Sequence, residues 1–187
     1  MELITAIKTR RSIRNYKPDP MPEDVVKELL GMAIWAPSGM NSQPWSFVVI
    51  ENQEYLKSLS DRCKDFLLSS LDRMPILERY RSYFSDPETS IFYHAPVLVL
   101  IYGDKNLFTS TTDCSMAALN LMLSAWDRGI GSCWIGFSYG ICNSPEFKEE
   151  FHLPENHQLV APIILGYPQE PIPQGDRKEV PLLYWMK

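Results

Sequence analysis

One nearly continuous apolar run, Ala95–Gly103 (APVLVLIYG), constrains the fold of this chain more than any other segment. Its length suits a single β-strand, and it lacks the polar alternation of a strand with one face in water. The pattern therefore predicts a central strand covered on both faces. Such a strand needs packed layers above and below the sheet. We expect one domain, for which 187 residues suffice.

Further helices and strands are predicted on either side of this strand. Helices are predicted at 2–9, from Pro22 to before Pro37, at 54–71, at 112–128 and from Ser144 onward; strands are predicted at 46–51, within 129–137 and at 158–167. The helix at 112–128 is apolar almost all round, which predicts that it lies inside the molecule or against a partner. We interpret Asp113, near its start, as a cap or structural hydrogen-bond acceptor.

Two segments do not fit the regular pattern. Residues 74–93 are interrupted by Pro75 and Pro87 and rich in aromatic residues, so we expect a partly helical excursion. It is either a lid over a site or a loop held by packing. The tail at 176–187 is apolar from Val180 to Trp185, which predicts an arm that needs a partner surface.

Composition excludes several classes of protein. Eighteen Lys and Arg against twenty-three Asp and Glu give a formal charge of −5, which argues against a nucleic-acid-coating protein. No apolar run is long enough to cross a bilayer, and the N-terminus does not resemble a signal peptide, so we expect a cytoplasmic protein. The four cysteines form no C-x-x-C pair and are predicted to be reduced, buried thiols.

Common catalytic and binding motifs are missing. The glycines at 129, 131 and 136 do not make a G-x-G-x-x-G fingerprint, because Trp134 stands where the third glycine belongs. No phosphate-loop, hydrolase-elbow or zinc-protease motif occurs. The three histidines have no partners at ligand spacing, so no metal site is predicted.

Three arginines lie within five positions near the N-terminus: Arg10, Arg11 and Arg14. Positive charge concentrated in an acidic chain is typical of a pocket for a small anion. The alternative is that the first two complement the negative C-terminal end of the helix at 2–9.

Four motifs, in order, resemble those of the FMN-dependent nitroreductases. They are R-R-S-x-R at 10–14, P-S-x-x-N-x-Q-P-W at 37–45, G-x-G-S-C-W at 129–134, and G-Y-P at 166–168 followed by the basic pair 177–178. The resemblance covers essentially the whole chain. It implies an α+β three-layer sandwich with a mixed, mainly antiparallel central sheet between helices. It also implies an intertwined homodimer with two FMN sites built from both protomers.

The resemblance also implies which residues bind FMN. At the phosphate and ribityl end they are Arg10, Arg11 and Ser12, with Arg177 or Lys178 closing the site; at the pyrimidine edge, Arg14; at the ring edge, Pro37, Ser38, Asn41 and Gln43; and beside the ring, Trp134, Ile135 and Gly136. The chemistry suits these roles, because a guanidinium presents paired donors to phosphate oxygens and an amide both donates and accepts.

The activity implied is reduction of nitroaromatic, quinone or similar acceptors by NAD(P)H, with hydride passing through flavin N5 and no catalytic side chain. Two alternatives stay open. One is a specialised flavoprotein of the same fold, such as a dehalogenase or a flavin-degrading enzyme. The other is a flavin-binding dimer without turnover.

Overall fold

The centre of the molecule is the strand β2 (Val97–Asp104), every residue of which is buried except the last. The computed structural model describes residues 1–170 and 175–187. Within them, β1 (Trp45–Ile50), β2, β3 (Gly131–Trp134) and β4 (His157–Gly166) form one sheet in the order β1-β2-β4-β3. Each neighbouring pair is antiparallel. Parallel pairing in the described chain is limited to an isolated bridge between Ser12 and Ser132.

Two apolar layers cover the sheet, one on each face, because successive side chains of β2 point to opposite sides. Leu98, Leu100 and Tyr102 pack into a core that includes Leu56, Leu59 and Cys63. Val97, Val99 and Ile101 pack into a second core on the other face, with Leu29 and Leu121 among its buried side chains. The α+β sandwich with helices on both faces is thus confirmed.

Seven α-helices surround the sheet in the described part of the chain. They are α1 (Leu3–Thr9), α2 (Glu23–Ala33), α3 (Gln53–Ser69), α4 (Arg81–Ser85), α5 (Ser110–Asp127), α6 (Tyr139–Cys142) and α7 (Pro145–Glu150). Short 3-10 turns occupy Gly39–Asn41, Pro75–Tyr80 and Gly136–Ser138. Ser144 caps α7 by accepting a hydrogen bond from the Phe147 N–H, at 3.2 Å. The predicted elements are therefore present, with ends shifted by a few residues.

The first helix leaves its large apolar side chains exposed. Within α1 only Ala6 is buried, at 5% exposure, whereas Leu3, Ile4 and Ile7 remain more than half exposed. Other large apolar side chains are exposed near the end of α2 and along the tail. They include Met32, Trp35, Val180, Leu182, Leu183, Tyr184, Trp185 and Met186. The four cysteines are free and buried, as predicted.

Candidate flavin site

The arginine segment after α1 lies against the edge strand β3. The Ile13 N–H donates to the Ser132 carbonyl at 3.0 Å, and Ser12 forms its bridge with Ser132. A Cβ on Gly131 would come within 2.8 Å of the Ile13 side chain, so only glycine allows this close approach. Two distant motifs are thereby brought side by side, the first arginine motif and the G-x-G-S-C-W motif.

Arg10 is the centre of a cluster of unbalanced positive charge. Partial burial lowers the pKa of its guanidinium, and repulsion from Arg177 and Arg11 lowers that pKa further. Seven ion pairs are found among residues 1–170 and 175–187, and none includes Arg10, Arg11, Arg14 or Arg177. Partly buried cations without carboxylates favour a bound anion, and phosphate matches guanidinium geometry.

The predicted basic residues differ in what their side chains contact. Arg11 is directed to backbone, because its guanidinium donates to the carbonyls of Lys8, Arg10 and Gly175 at 2.7–3.2 Å. Its Nε is buried and has no partner among the described residues. Both residues of the late basic pair are exposed, and Arg177 lies near enough to Arg10 to lower the pKa of its guanidinium.

A cavity of about 820 Å³ adjoins the arginine segment. Arg14 and the predicted ring neighbours Trp134, Ile135 and Gly136 line one part of it. The remaining wall is made by Phe66, Leu67, Met74, Leu77, Tyr80, Tyr93, Phe137, Tyr139 and Gly140. The volume falls within the usual range for cofactor and ligand pockets. Since Arg14 belongs both to the arginine motif and to the cavity wall, the cationic cluster and the cavity are neighbours.

Hydrogen bonds fix the wall around Trp134. Its indole N–H donates to the Tyr139 hydroxyl at 3.0 Å, and that hydroxyl in turn donates to the Val160 carbonyl. The Ile135 N–H donates to the Pro162 carbonyl at 2.8 Å and is therefore already engaged. A flat aromatic wall held by two hydrogen bonds suits contact with a planar ring.

The loop 37–43 lies apart from this cavity in the same chain. None of Pro37, Ser38, Asn41 and Gln43 is among the described residues that line the cavity. Asn41 and Gln43 have positive φ angles of 54° and 46°, and Met40, directly before Asn41, has 52°. Left-handed backbone at non-glycine residues is costly and is concentrated at functional sites.

Asp113 holds this loop. Its carboxylate accepts hydrogen bonds from the Gly39 N–H at 3.1 Å and from the Thr109 hydroxyl at 2.8 Å. The Ser38 hydroxyl accepts a further bond from the Gln43 N–H at 3.1 Å. The interpretation of Asp113 as a structural hydrogen-bond acceptor is confirmed.

Cys133 was not predicted to belong to the site. Burial raises the pKa of its thiol, and this rise is opposed by Arg14, by a hydrogen bond with Ser12 and by Arg10. The thiol is therefore a neighbour of both arginines. Its place inside the G-x-G-S-C-W motif is the sequence signal that would have identified it. The cavity-lining role of Met74 and Leu77 had no such signal beyond the general expectation of a lid.

Over 1–170 and 175–187, no group of three or more His, Cys, Asp and Glu side chains is arranged to hold a metal ion. Across the same residues, no helix has both the length and the apolar character required to cross a bilayer.

Comparison with known proteins identifies relatives along most of the chain. A relative from Methanothermobacter thermautotrophicus, with the provisional name NADH dehydrogenase/NAD(P)H nitroreductase, is 31% identical, covering 91% of this chain and 79% of its own. A crystal structure of a nitroreductase with bound FMN from Bacteroides fragilis superposes with a TM-score of 0.84 at 29% identity, covering 100% and 98%.

A third relative has a different named activity. It is a crystal structure of oxidised iodotyrosine deiodinase bound to FMN and 3-iodo-L-tyrosine. It superposes with a TM-score of 0.77 at 26% identity, covering 99% of this chain and 100% of the other. The family model described as "Nitroreductase family" matches residues 7–167, which include three of the four motifs completely. The chain therefore belongs to the nitroreductase family.

Proposed function

We propose that this protein is an FMN-dependent oxidoreductase that takes electrons from NAD(P)H and passes them to a nitroaromatic, quinone or similar acceptor. The observation that carries the proposal is the arginine cluster around Arg10, which has no carboxylate partner in the described chain and adjoins the 820 Å³ cavity. The names of two relatives, a nitroreductase with bound FMN and an NAD(P)H nitroreductase, support the same assignment.

The residues present fit FMN at both of its ends. Arg10 and Arg177 would hold the phosphate, with Ser12 beside them as a hydroxyl donor, while Arg11 braces the segment through backbone carbonyls. Arg14 would place a fixed positive charge at the pyrimidine edge of the ring, where it stabilises negative charge. Trp134, oriented by Tyr139, would lie beside the ring.

FMN supplies two-electron chemistry when bound, by accepting hydride from a nicotinamide and giving it to an acceptor. The chain binds and orients the ring. The segment 74–93, which the sequence left as either a lid or a packed loop, provides Met74, Leu77, Tyr80 and Tyr93 to the cavity wall and would keep water from the reacting faces. This geometry favours the lid.

We further propose that the site is completed by a second copy of the chain. The loop 37–43 does not reach its own cavity, and its left-handed residues are held in place by Asp113. The exposed apolar side chains of α1 and of the arm 176–187 offer a surface for the partner. In the homodimer, the four predicted ring-edge residues of one protomer would meet the cavity of the other.

The test is flavin binding with a phosphate-specific control. Purified protein should be yellow, and Arg10→Gln or Arg177→Gln should weaken FMN binding by roughly tenfold or more, because each removes a charge-assisted hydrogen bond. Riboflavin, which lacks the phosphate, should bind the variants and the parent alike. Lys17→Gln is the matched control, because it removes one positive charge from an exposed residue three positions after Arg14. A colourless protein that does not take up FMN would refute the proposal.

Turnover separates an enzyme from a binding module. NADH or NADPH should bleach the yellow protein under anaerobic conditions, and menadione should restore the colour. A yellow protein that neither nicotinamide reduces would instead support the non-catalytic flavin-binding dimer. Sedimentation equilibrium tests whether the protein is a homodimer, and a monomeric mass for the FMN-loaded protein would contradict the proposal that a second copy completes the site.

A further inference from the structure

The lid helix, Pro75–Tyr80, presents one side to the cavity. Met74, Leu77 and Tyr80 line the cavity and are half-buried, whereas Ile76 and Glu78 are exposed. The inward residues are three positions apart. A 3-10 helix has three residues per turn, so side chains at this spacing lie directly above one another.

The charges of the lid helix are turned away from the cavity. Glu78 and Arg81 form a two-point ion pair, with distances of 2.6 and 3.1 Å, and both side chains are more than half exposed. Arg79 is exposed and does not line the cavity, and its guanidinium lies 4.9 Å from the centre of the Tyr80 ring. Glu78 and Arg81 are therefore occupied with each other rather than directed at a ligand.

The wall beneath the lid helix is aromatic. Phe137 is contacted edge-on by Phe84 at 5.0 Å between ring centres and by Tyr80 at 5.3 Å. Arg14 is the one charged residue among the described residues that line the cavity, and its guanidinium lies 5.9 Å from the centre of the Tyr93 ring. Under the proposed function Arg14 faces the flavin. What is left for a second molecule is an apolar and aromatic surface.

We infer that the acceptor is a planar aromatic molecule without an amino-acid head group. This inference rests on the proposed function. An ammonium group brought beneath Leu77 and Met74 would lose water without gaining a carboxylate from the described residues that line the cavity, which strongly opposes binding. An aromatic ring would gain contacts with Tyr80 and Phe137. The inference separates this chain from the related deiodinase, whose structure holds 3-iodo-L-tyrosine.

A matched pair of probes tests the inference on the FMN-loaded protein. 4-Methyl-2-nitrophenol is 3-nitrotyrosine shortened to a methyl group, so the two share the reacting ring and differ in the head group. The flavin is first reduced with dithionite, and its reoxidation is then followed by anaerobic stopped flow. Reduced FMN becomes oxidised FMN while the nitro group takes up two electrons and two protons and releases water to give a nitroso group.

We expect 4-methyl-2-nitrophenol to show a second-order rate constant at least tenfold above that of 3-nitrotyrosine. Equal or faster reaction of 3-nitrotyrosine, or release of iodide from 3-iodotyrosine at a comparable rate, would overturn the inference. Either result would leave the proposed function standing, because the reduced flavin would still pass its electrons to an acceptor. Failure of all acceptors, menadione included, would overturn the proposed function itself.

Two variants test whether the inward side of the lid helix determines which acceptors react. Leu77→Lys adds a cation on the inward side and should raise the rate with 4-nitrobenzoate relative to 4-nitrotoluene by fivefold or more. Ile76→Lys adds the same charge one position away, on the exposed side, and should leave that ratio unchanged. If Leu77→Lys does not bind FMN, Met74→Lys tests the same side. Equal ratios for the inward and outward variants would overturn the assignment of the lid helix.

Discussion

The backbone N–H of Gly39 donates a hydrogen bond to Oδ2 of Asp113 at 3.1 Å, which ties the loop 37–43 to the first turn of α5. The Thr109 hydroxyl donates to the same oxygen. Gly39 also packs so tightly on Thr109 that a Cβ would lie 2.5 Å from its Oγ1. The loop is therefore fixed from two sides, which explains how it retains Met40, Asn41 and Gln43 in left-handed backbone.

Removal of the Asp113 carboxylate should release this loop. Asp113→Ala is expected to lower the free energy of unfolding by about 1–3 kcal/mol, because it leaves the Gly39 N–H without its acceptor. FMN affinity should fall as well if the loop serves the partner's site. Urea denaturation and flavin titration measure the two effects. Asp113→Asn keeps an acceptor and should recover part of both.

Thr111→Ala, on the exposed side of the same turn, is the control for Asp113→Ala and should behave like the parent. If Asp113→Ala were as stable as Thr111→Ala, the hydrogen bonds of Asp113 would not hold the loop.

The contact between Gly131 and Ile13 predicts opposite effects for two Gly→Ala substitutions. Gly131→Ala places a methyl group 2.8 Å from Ile13 and should cost about 1–3 kcal/mol of stability. It should also weaken FMN binding, since Ile13 lies between Ser12 and Arg14. Gly31→Ala, in α2, meets nothing within 4 Å and should gain about 0.5–1 kcal/mol from helix propensity. Equal stability of the two variants would contradict the close approach.

Lys64 should anchor the end of the 74–93 segment. Its buried ammonium donates to the carbonyls of Asp86 and Thr89 at 3.0 and 2.8 Å and pairs with Asp61 at 3.0 Å. Lys64→Met should lower the free energy of unfolding by about 2–3 kcal/mol and speed hydrogen exchange at 86–91. Lys57→Met removes the exposed partner of the same Asp61 and should stay within about 0.5 kcal/mol. A similar loss in both variants would reject the anchor.

Stability should decline at alkaline pH through the thiol of Cys114. Burial raises its pKa from 9.0 to about 11, so the unfolded chain loses this proton first as the pH rises. The contribution is complete below pH 9 and is lost on the way to the folded pKa. Between pH 8 and 10 the parent should therefore lose about 1 kcal/mol more than Cys114→Ala. Parallel curves from urea denaturation would contradict the assignment.

The sequence predicted the strands of the sheet better than it predicted which apolar side chains are exposed. The run at Ala95–Gly103 identified β2 as covered on both faces, because a strand buried on both sides has no polar alternation. Helical spacing also puts Leu3, Ile4 and Ile7 on one side of α1, but it does not say which neighbour covers that side. In the structure these side chains are exposed.

For the candidate site, short motifs predicted which residues take part, but the fold determines which of these residues lie close together. Arg14 and Trp134 share one cavity wall because the arginine segment pairs with β3, a contact between distant residues that no local pattern encodes. The roles implied for the thirteen predicted flavin-binding residues remain predictions. Met74 and Leu77 were not predicted individually, because Pro75 interrupts the segment and conceals the three-residue repeat of the lid helix.

That repeat of three has a consequence for how relatives of this protein can diverge. Inserting or deleting one residue in Pro75–Tyr80 would rotate the rest of the turn by about 120°, so that different side chains would face the cavity. A change of three residues would add or remove one full turn, and the same side chains would still face the cavity. Natural length variation here should therefore come in threes, with each added triplet offering one new side chain for tuning which molecules enter.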